Sequence, residues 1–245
     1  FIHYGGSIGG APVSMIQLML NLDKSKYDII AVFSEPGPIV EYAKEKGITT
    51  KIIEFKSVFF YGAHVRLRLK IIFNFFIYYI KNINIFKDFL LIEKPDLVYL
   101  NTSVLLPVGA IAYKLGCPII WHVREVPGPN KFLRNYQLNQ IKKMASHIIV
   151  NSNFVKKYFE PCLKIKTIYN GLDLDAYNID EKKAFMKIRS ELKIKKSTQV
   201  ICMIGSVQKE KGHFMLIEIA KKIIKLHQNT LFLIIAGGVD QAYLL

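Results

Sequence analysis

Short apolar runs alternate with helical stretches along almost the whole chain, and this alternation limits the fold more than any other feature. Residues 1–4, 27–33, 48–54, 96–100, 117–122, 147–150 and 165–169 are strand-length, and most of these runs are predominantly apolar. A strand buried on both faces reads that way. Between them lie residues 11–22, apolar at helical spacing, then 37–46, a long basic and aromatic stretch ending near Lys94, and 104–115, 132–146 and 152–158. Strand–helix–strand order predicts a parallel sheet with helices on both faces, joined by right-handed crossovers, which is a doubly wound α/β architecture.

The pattern changes after Tyr169. Asn170-Gly171-Leu172-Asp173 is a turn signal, and residues 180–196 read as a lysine-rich, solvated helix. Residues 199–205, 213–227 and 231–236 follow as strand, helix and strand, ending in Gly237-Gly238. This predicts the first βαβ of a second Rossmann-like unit, incomplete at Leu245. The expected division is residues 1–170 as one domain, with 171–245 as a hinge and the first part of another.

Composition enters through charge. The chain has 245 residues, 51% of them hydrophobic, and a formal net charge of +15. That hydrophobic content argues against disorder, and the charge asks for an anionic partner: nucleic acid, an anionic membrane surface or a phosphorylated substrate. No nucleic-acid-binding motif is present, so nucleic acid is not expected as a partner. Between Glu54 and Asp88 no acidic residue occurs, while Lys56, Arg66, Arg68, Lys70, Lys81 and Lys87 all do. They surround Val58-Phe59-Phe60-Tyr61 and the apolar run 71–80, which is far shorter than the ~20 residues needed to span a bilayer. Residues 56–87 therefore read either as an interfacial segment on an anionic membrane or as a buried helix whose lysines reach out to solvent. Cys117, Cys162 and Cys202 lie far apart and form no CxxC pair, which argues against a zinc site or a disulfide framework and fits a reducing, cytoplasmic setting. The first residues carry no signal-peptide pattern, and the opening reads like the second half of a strand, which predicts a natural start upstream.

Two glycine loops carry the chemical signal. Gly5-Gly6-Ser7-Ile8-Gly9-Gly10 links the first strand to a helix opening with Ala11-Pro12. Free amides at a helix N-terminus form a phosphate site, and the alternative is a plain tight turn. The G-x-G-x-x-G dinucleotide fingerprint is absent, and Glu35, before Pro36-Gly37, reads as a turn residue. The second loop, Gly205-Ser206-Val207-Gln208-Lys209-Glu210-Lys211-Gly212, again leaves a strand and opens a helix. Lys211 precedes the second glycine, so this is not a P-loop. A lysine there neutralises a diphosphate, or is one more solvated lysine of a basic chain.

Five pieces in a fixed order then resemble a known family. They are Gly9-Gly10-Ala11; Trp121-His122-Val123-Arg124-Glu125; Ala145-Ser146-His147-Ile148-Ile149-Val150-Asn151-Ser152; Ile168-Tyr169-Asn170-Gly171-Leu172-Asp173; and Ile204-Gly205 through Lys211-Gly212. Together they look like the group 1, or family 4, retaining glycosyltransferases of GT-B fold, with the capsule, exopolysaccharide and O-antigen enzymes most similar.

The resemblance implies a glycosyltransferase that moves a sugar, with retention, from a UDP- or GDP-sugar to a saccharide or lipid-linked acceptor. It implies an acceptor-side first domain and a nucleotide-sugar-binding second domain. Gly9 and Gly10 would give amides to the diphosphate or acceptor, and Lys211, with Gly205 and Ser206, would hold the phosphates and stabilise the leaving group. His122 would contact the sugar near the reacting carbon. It implies no cofactor and no metal, and a cytoplasmic enzyme peripheral on the inner face of the membrane. The sequence departs from the family at Ser206, where an arginine is usual, and Lys209 is placed to compensate. The family's paired glutamates would fall beyond Leu245, so the 245-residue chain is expected to be inactive by itself. Two alternatives share the architecture: a UDP-sugar epimerase, and a non-catalytic membrane-associated module.

Overall fold

The computed structural model describes residues 1–57, 69–128, 130–172, 174, 178–207 and 211–237. It divides into two compact units, Phe1–Leu172 and Asp173–Leu245.

The first unit is a doubly wound α/β domain, as the alternation predicts. Its elements in chain order are β1 (Ile2–His3), α1 (Gly10–Leu20), β2 (Ile30–Phe33), α2 (Pro38–Glu45), β3 (Thr49–Ile52), α3 (Leu69–Glu93) and β4 (Val98–Leu100). They continue with α4 (Leu106–Lys114), β5 (Ile119–Val123), α5 (Lys131–Met144), β6 (His147–Val150), α6 (Asn153–Lys156) and β7 (Ile165–Thr167). All seven strands pair in parallel in the order β3-β2-β1-β4-β5-β6-β7. The winding direction reverses between β1 and β4, because the chain crosses from the β3 edge back to the centre through α3.

Period-two alternation sends side chains to two cores. Ile2, Val32, Leu100, Trp121, Val123 and Ile148 pack under Phe86 and Leu90 of α3, Ile111 of α4 and Leu138 and Ile141 of α5. On the other face, Ala31 and Phe33 pack under Met15, Ile16 and Met19 of α1 and Ile39, Val40 and Ala43 of α2. The tight fit near Trp121 needs a glycine on α4. A Cβ at Gly109 would lie 2.4 Å from the indole, which is fully buried and held by Nε1 donating to the Thr102 carbonyl at 2.8 Å.

Local chemistry sets the helix starts. Asn130 and Ser152 are N-caps whose side-chain oxygens accept from the amides of Leu133 and Val155. Pro38 opens α2, where no amide is needed. Helix α3 buries Asn82, Phe86 and Leu90 and leaves Phe76, Ile77, Ile80, Lys81 and Lys87 exposed. The other half of the basic-aromatic reading, including Val58, Phe59, Phe60, Tyr61, Arg66 and Arg68, lies outside the described residues. Among the described residues, no helix is long and apolar enough to cross a membrane.

The second unit holds α7 (Glu181–Glu191), β8 (Gln199–Ile204), α8 (His213–Leu226) and β9 (Thr230–Ile235), with β8 and β9 parallel. This is one βαβ. Helix α7 buries none of its residues, in keeping with its lysine-rich sequence, and Asp180 caps it by accepting from the Lys183 amide. It stops at Glu191 rather than near Lys196. The Arg189 guanidinium takes the carbonyls of Lys195 and Thr198, and Lys193 turns to φ 53, so the chain folds back over the helix end.

Candidate functional site

In an open parallel sheet, ligands bind at the carboxyl ends of the strands where the winding reverses. Here that place is the end of β1 and β4, and two features meet there: the first glycine loop and a buried polar cluster.

The two halves of the glycine loop differ. The Gly5 amide donates to Ser34 Oγ at 2.7 Å and the Gly6 amide to Glu35 Oε1 at 3.2 Å, so these two glycines form a structural turn. Glu35 is a turn residue, as its place before Pro36-Gly37 suggested. Gly5 has φ +100, in the left-handed region that favours glycine. The second half is open. Ser7, Ile8, Gly9 and Gly10 are exposed, and nothing lies within 4 Å of a Cβ built on Gly10. Gly9 is the N-cap of α1, no side chain caps the helix, and its first turn carries no acidic residue. That leaves the positive end of a helix dipole facing solvent.

Beside it, alternation places His3 (β1), Tyr99 (β4) and His122 (β5) on the face that carries α1, opposite Ile2, Leu100 and Trp121. Asn101 and Arg124 follow on the same face just past the strand ends. Asn101 is fully buried and fully used: its Nδ2 reaches His3 Nδ1 (3.2 Å) and the Ala11 carbonyl (3.1 Å), and its Oδ1 accepts from Arg124 Nε (2.8 Å). Arg124 Nη1 donates to Ser14 Oγ (3.0 Å) and to Asn170 Oδ1 (2.7 Å). One guanidinium thus ties β4, α1 and the Asn170 turn together. Glu125 Oε2 accepts from the Ser103 amide (3.2 Å), which fixes the loop after β4.

His122 lies in β5, paired in register with Ile149. It is 5% exposed, and its Nδ1 is 2.5 Å from the Tyr99 hydroxyl. Burial, then the Arg124 charge, lower its pKa to about 3. His3 is lowered to about 4, mainly by burial, and Tyr99 is raised to about 12 by burial against the opposing pull of Arg124. Both imidazoles and the phenol are therefore neutral at physiological pH. His122 is a hydrogen-bonding group there, not a proton carrier.

Of the residues predicted from sequence, Gly9, Gly10 and His122 belong to the first unit and Gly205, Ser206 and Lys211 to the second. Within the second unit, Gly205, Ser206 and Lys211 come together. Gly205 follows β8 with φ +157, and the Lys211 side chain passes 3.9 Å from the position of a Gly205 Cβ. Lys211 immediately precedes Gly212, the left-handed N-cap of α8 (φ +80). Lys209 lies outside the described residues. Among the described residues, no group of three or more His, Cys, Asp or Glu is placed to hold a metal ion.

The sequence reading gave no role to His3, Tyr99, Asn101 or Arg124. Polar residues at or just past the carboxyl ends of three mostly apolar strands were the available signal. Their neighbourhood depends on strand order, which sequence does not state.

The family model of Glycosyltransferase Family 4 matches residues 8–176, more than half of the chain. The chain belongs to Glycosyltransferase Family 4. Its match includes Gly9, Gly10, Tyr99, Asn101, His122, Arg124 and the Asn170 turn. No curated protein matches the chain significantly. Among solved structures, Anabaena HepE in complex with UDP and glucose is similar with a TM-score of 0.63 at 17% identity, covering 98% of this chain and 69% of that one. A glycosyltransferase from Rickettsia africae gives 0.61 at 16% identity, covering 98% and 68%. A UDP-GlcNAc 2-epimerase from Neisseria meningitidis bound to UDP-GlcNAc gives 0.54 at 15% identity, covering 98% and 66%. At these identities the likeness is one of fold, the two-domain GT-B architecture.

Proposed function

We propose that this family 4 chain transfers a sugar from a UDP- or GDP-sugar to a saccharide or lipid-linked acceptor, with retention and without a metal ion. The observation that carries the reading is the uncapped, exposed start of α1 at Gly9 and Gly10, next to the Arg124 cluster at the carboxyl edge of the sheet. Helix amides and a guanidinium favour anionic oxygens without a cation. In this reading Lys211, beside Gly205 and Ser206, neutralises the diphosphate as the leaving group gains charge. Ser206 contributes one hydrogen bond where the family has a cation. His122, neutral and buried, orients the sugar rather than exchanging protons with it.

The test is calorimetric titration with UDP, GDP and their sugars, followed by label transfer to lipid-linked acceptors with and without chelator, and NMR of the product anomer. Binding of a nucleotide sugar is expected, and transfer in chelator with a retained anomer is expected of a chain that carries the family's paired glutamates. An epimerase is the second reading, favoured by the similarity to the Neisseria enzyme. It would interconvert a free UDP-sugar without consuming acceptor, and that outcome would replace the first reading.

The acceptor bears on location. The exposed Phe76, Ile77 and Ile80 of α3 with Lys81 and Lys87 suit attachment to the inner, anionic face of a membrane, in line with a cytoplasmic, peripheral enzyme.

A further inference from the structure

The carboxyl edge of the sheet continues past the Arg124 cluster to β6 and β7, and two aromatic rings stand exposed there. Phe154 of α6 is 56% exposed, and Tyr169, just past β7, is 66% exposed. Single apolar side chains on a surface need no explanation. These two differ because their neighbours hold them in place. Asn153 Nδ2 donates to the Tyr169 hydroxyl at 3.2 Å, and Asn153 Oδ1 accepts from Thr167 Oγ1 at 2.9 Å. The Phe154 ring stands edge-on to Tyr158, with centroids 5.8 Å apart. The Arg134 guanidinium lies over the Tyr158 ring at 5.5 Å and donates to the Gly128 carbonyl at 3.2 Å. We propose that Phe154 and Tyr169 form an aromatic ledge that binds the ring of an acidic saccharide as a subsite for the acceptor. The ledge stands on its own contacts, and its use for an acceptor rests on the function proposed above.

The ledge adjoins the candidate site. Tyr169 precedes Asn170, whose Oδ1 accepts from Arg124, and Asn151 Nδ2, two residues before Asn153, donates to the Arg124 carbonyl at 3.1 Å. A pyranose presents C–H bonds on one face and hydroxyls round its rim. The C–H face packs on the negative face of an aromatic ring, while the hydroxyls need polar partners close by. Both are present here: exposed ring faces, and the amide groups of Asn153 and Asn170. Asn170 gives its Oδ1 to Arg124 and Ser14 and keeps Nδ2 without a partner among the described residues. A lipid chain on the rings would bury such an amide unpaired, at a cost. A ring already fixed also loses little freedom when a ligand arrives, which is how rigid aromatic contacts yield affinity.

Charge selects the class of saccharide. Residues 126–169 hold eight lysines and arginines and one acidic residue, Glu160. Lys131 lies one turn before Arg134, and Lys157 lies one turn after Phe154. A sugar bearing a carboxylate or phosphate is drawn to this edge, and a neutral one is not.

The experiment is an NMR titration of the 15N-labelled 245-residue chain, without nucleotide, using trigalacturonate as the acidic probe and maltotriose as the neutral one. Trigalacturonate should bind more tightly than maltotriose, with the preference fading as salt screens the lysines. It should shift the amides of residues 151–158 and 168–170, and shifts confined to other residues overturn the placement. Phe154→Ala and Tyr169→Ala should each weaken binding about fivefold or more. Leu163→Ala, at the opposite end of β7, should not change it. Unchanged affinity in both ring variants, or equal affinity for the two sugars at low salt, overturns the proposal. Binding of anionic vesicles that is lost in the same variants, with neither sugar bound, also overturns it and makes the ledge a membrane contact. Both rings are more than half exposed, so the variants should fold, and the shifts in the unsubstituted chain decide the placement without them. Since no donor is present, failure of the ledge leaves the nucleotide-sugar reading standing, and failure of nucleotide-sugar binding leaves the ledge standing.

Discussion

Gly6 and Gly37 meet backbone to backbone. A Cβ on Gly37 would lie 2.2 Å from the Gly6 carbonyl oxygen, and one on Gly6 would lie 2.3 Å from the Pro36 carbonyl oxygen. The Ile39 amide donates to the same Gly6 carbonyl, so neither segment can withdraw without losing a hydrogen bond. This contact holds the first glycine loop against α2 and leaves Gly9 and Gly10 facing solvent.

Gly6→Ala and Gly37→Ala should each destabilise the first unit by about 1–3 kcal/mol, the usual cost of overpacking. Gly10→Ala should leave stability nearly unchanged, since nothing lies within 4 Å of its Cβ. Urea denaturation of the three variants checks this. Equal midpoints for Gly10→Ala and Gly37→Ala would remove the distinction between the loop's two halves.

Gly109→Ala gains roughly 1 kcal/mol of helix propensity. It also places a methyl 2.4 Å from Trp121, which cannot move while it is buried and bonded to Thr102. The clash should win, lowering the melting temperature, with Trp121 fluorescence reporting the altered packing. A rise in melting temperature would show that the indole yields.

Stability should fall with acid in a defined window. Unfolded, His3 and His122 take up a proton near pH 6.5, but folded they do so only near 4 and 3. Between those values the unfolded state binds more protons. Their contribution is therefore complete above about pH 6.5 and is lost as pH falls toward the folded values, at about 1.4 kcal/mol per pH unit for each imidazole. Urea midpoints at pH 7.5 and 5.0 test it. His122→Gln should reduce the difference by about 2 kcal/mol, and an equal difference in both proteins would mean His122 is not held neutral.

For the transfer reaction, measured in a chain that also carries the family's paired glutamates, Lys211→Ala should lower turnover by roughly 10²-fold or more, as removal of a leaving-group cation does. Lys211 is exposed, so the melting temperature should hold. Ser206→Arg should tighten nucleotide-diphosphate binding by about tenfold, since charge-assisted hydrogen bonds are the stronger kind. Near-normal turnover in Lys211→Ala would remove Lys211 from the stabilisation of the leaving group.

Residues 56–87 should direct the chain to anionic vesicles. Each cation near such a leaflet contributes about 1 kcal/mol, and salt screens the attraction. Cosedimentation with anionic and neutral vesicles across a salt series should show binding that needs anionic lipid and weakens with salt. Equal recovery with both lipids, or none with either, would return α3 to the role of a packed helix.

Sequence alone determined the layered architecture, because a two-residue alternation in strands and a 3.6-residue spacing in helices are local properties of covalent geometry. It located both glycine loops, since turns are written in Gly, Asn and Pro. It did not determine which strands are neighbours. His3, Asn101 and Arg124 are distant along the chain, and only the order β1-β4-β5 makes them one cluster. Nor did it separate Gly6 from Gly9. The loop's first half is structural because Ser34, Glu35 and Gly37 fold onto it, and the second half is open because nothing does. His122 shows the same division. Its motif and its strand could be read in the sequence, but its burial and its bond to Tyr99 come from packing, which sums contacts that no local stretch of sequence contains.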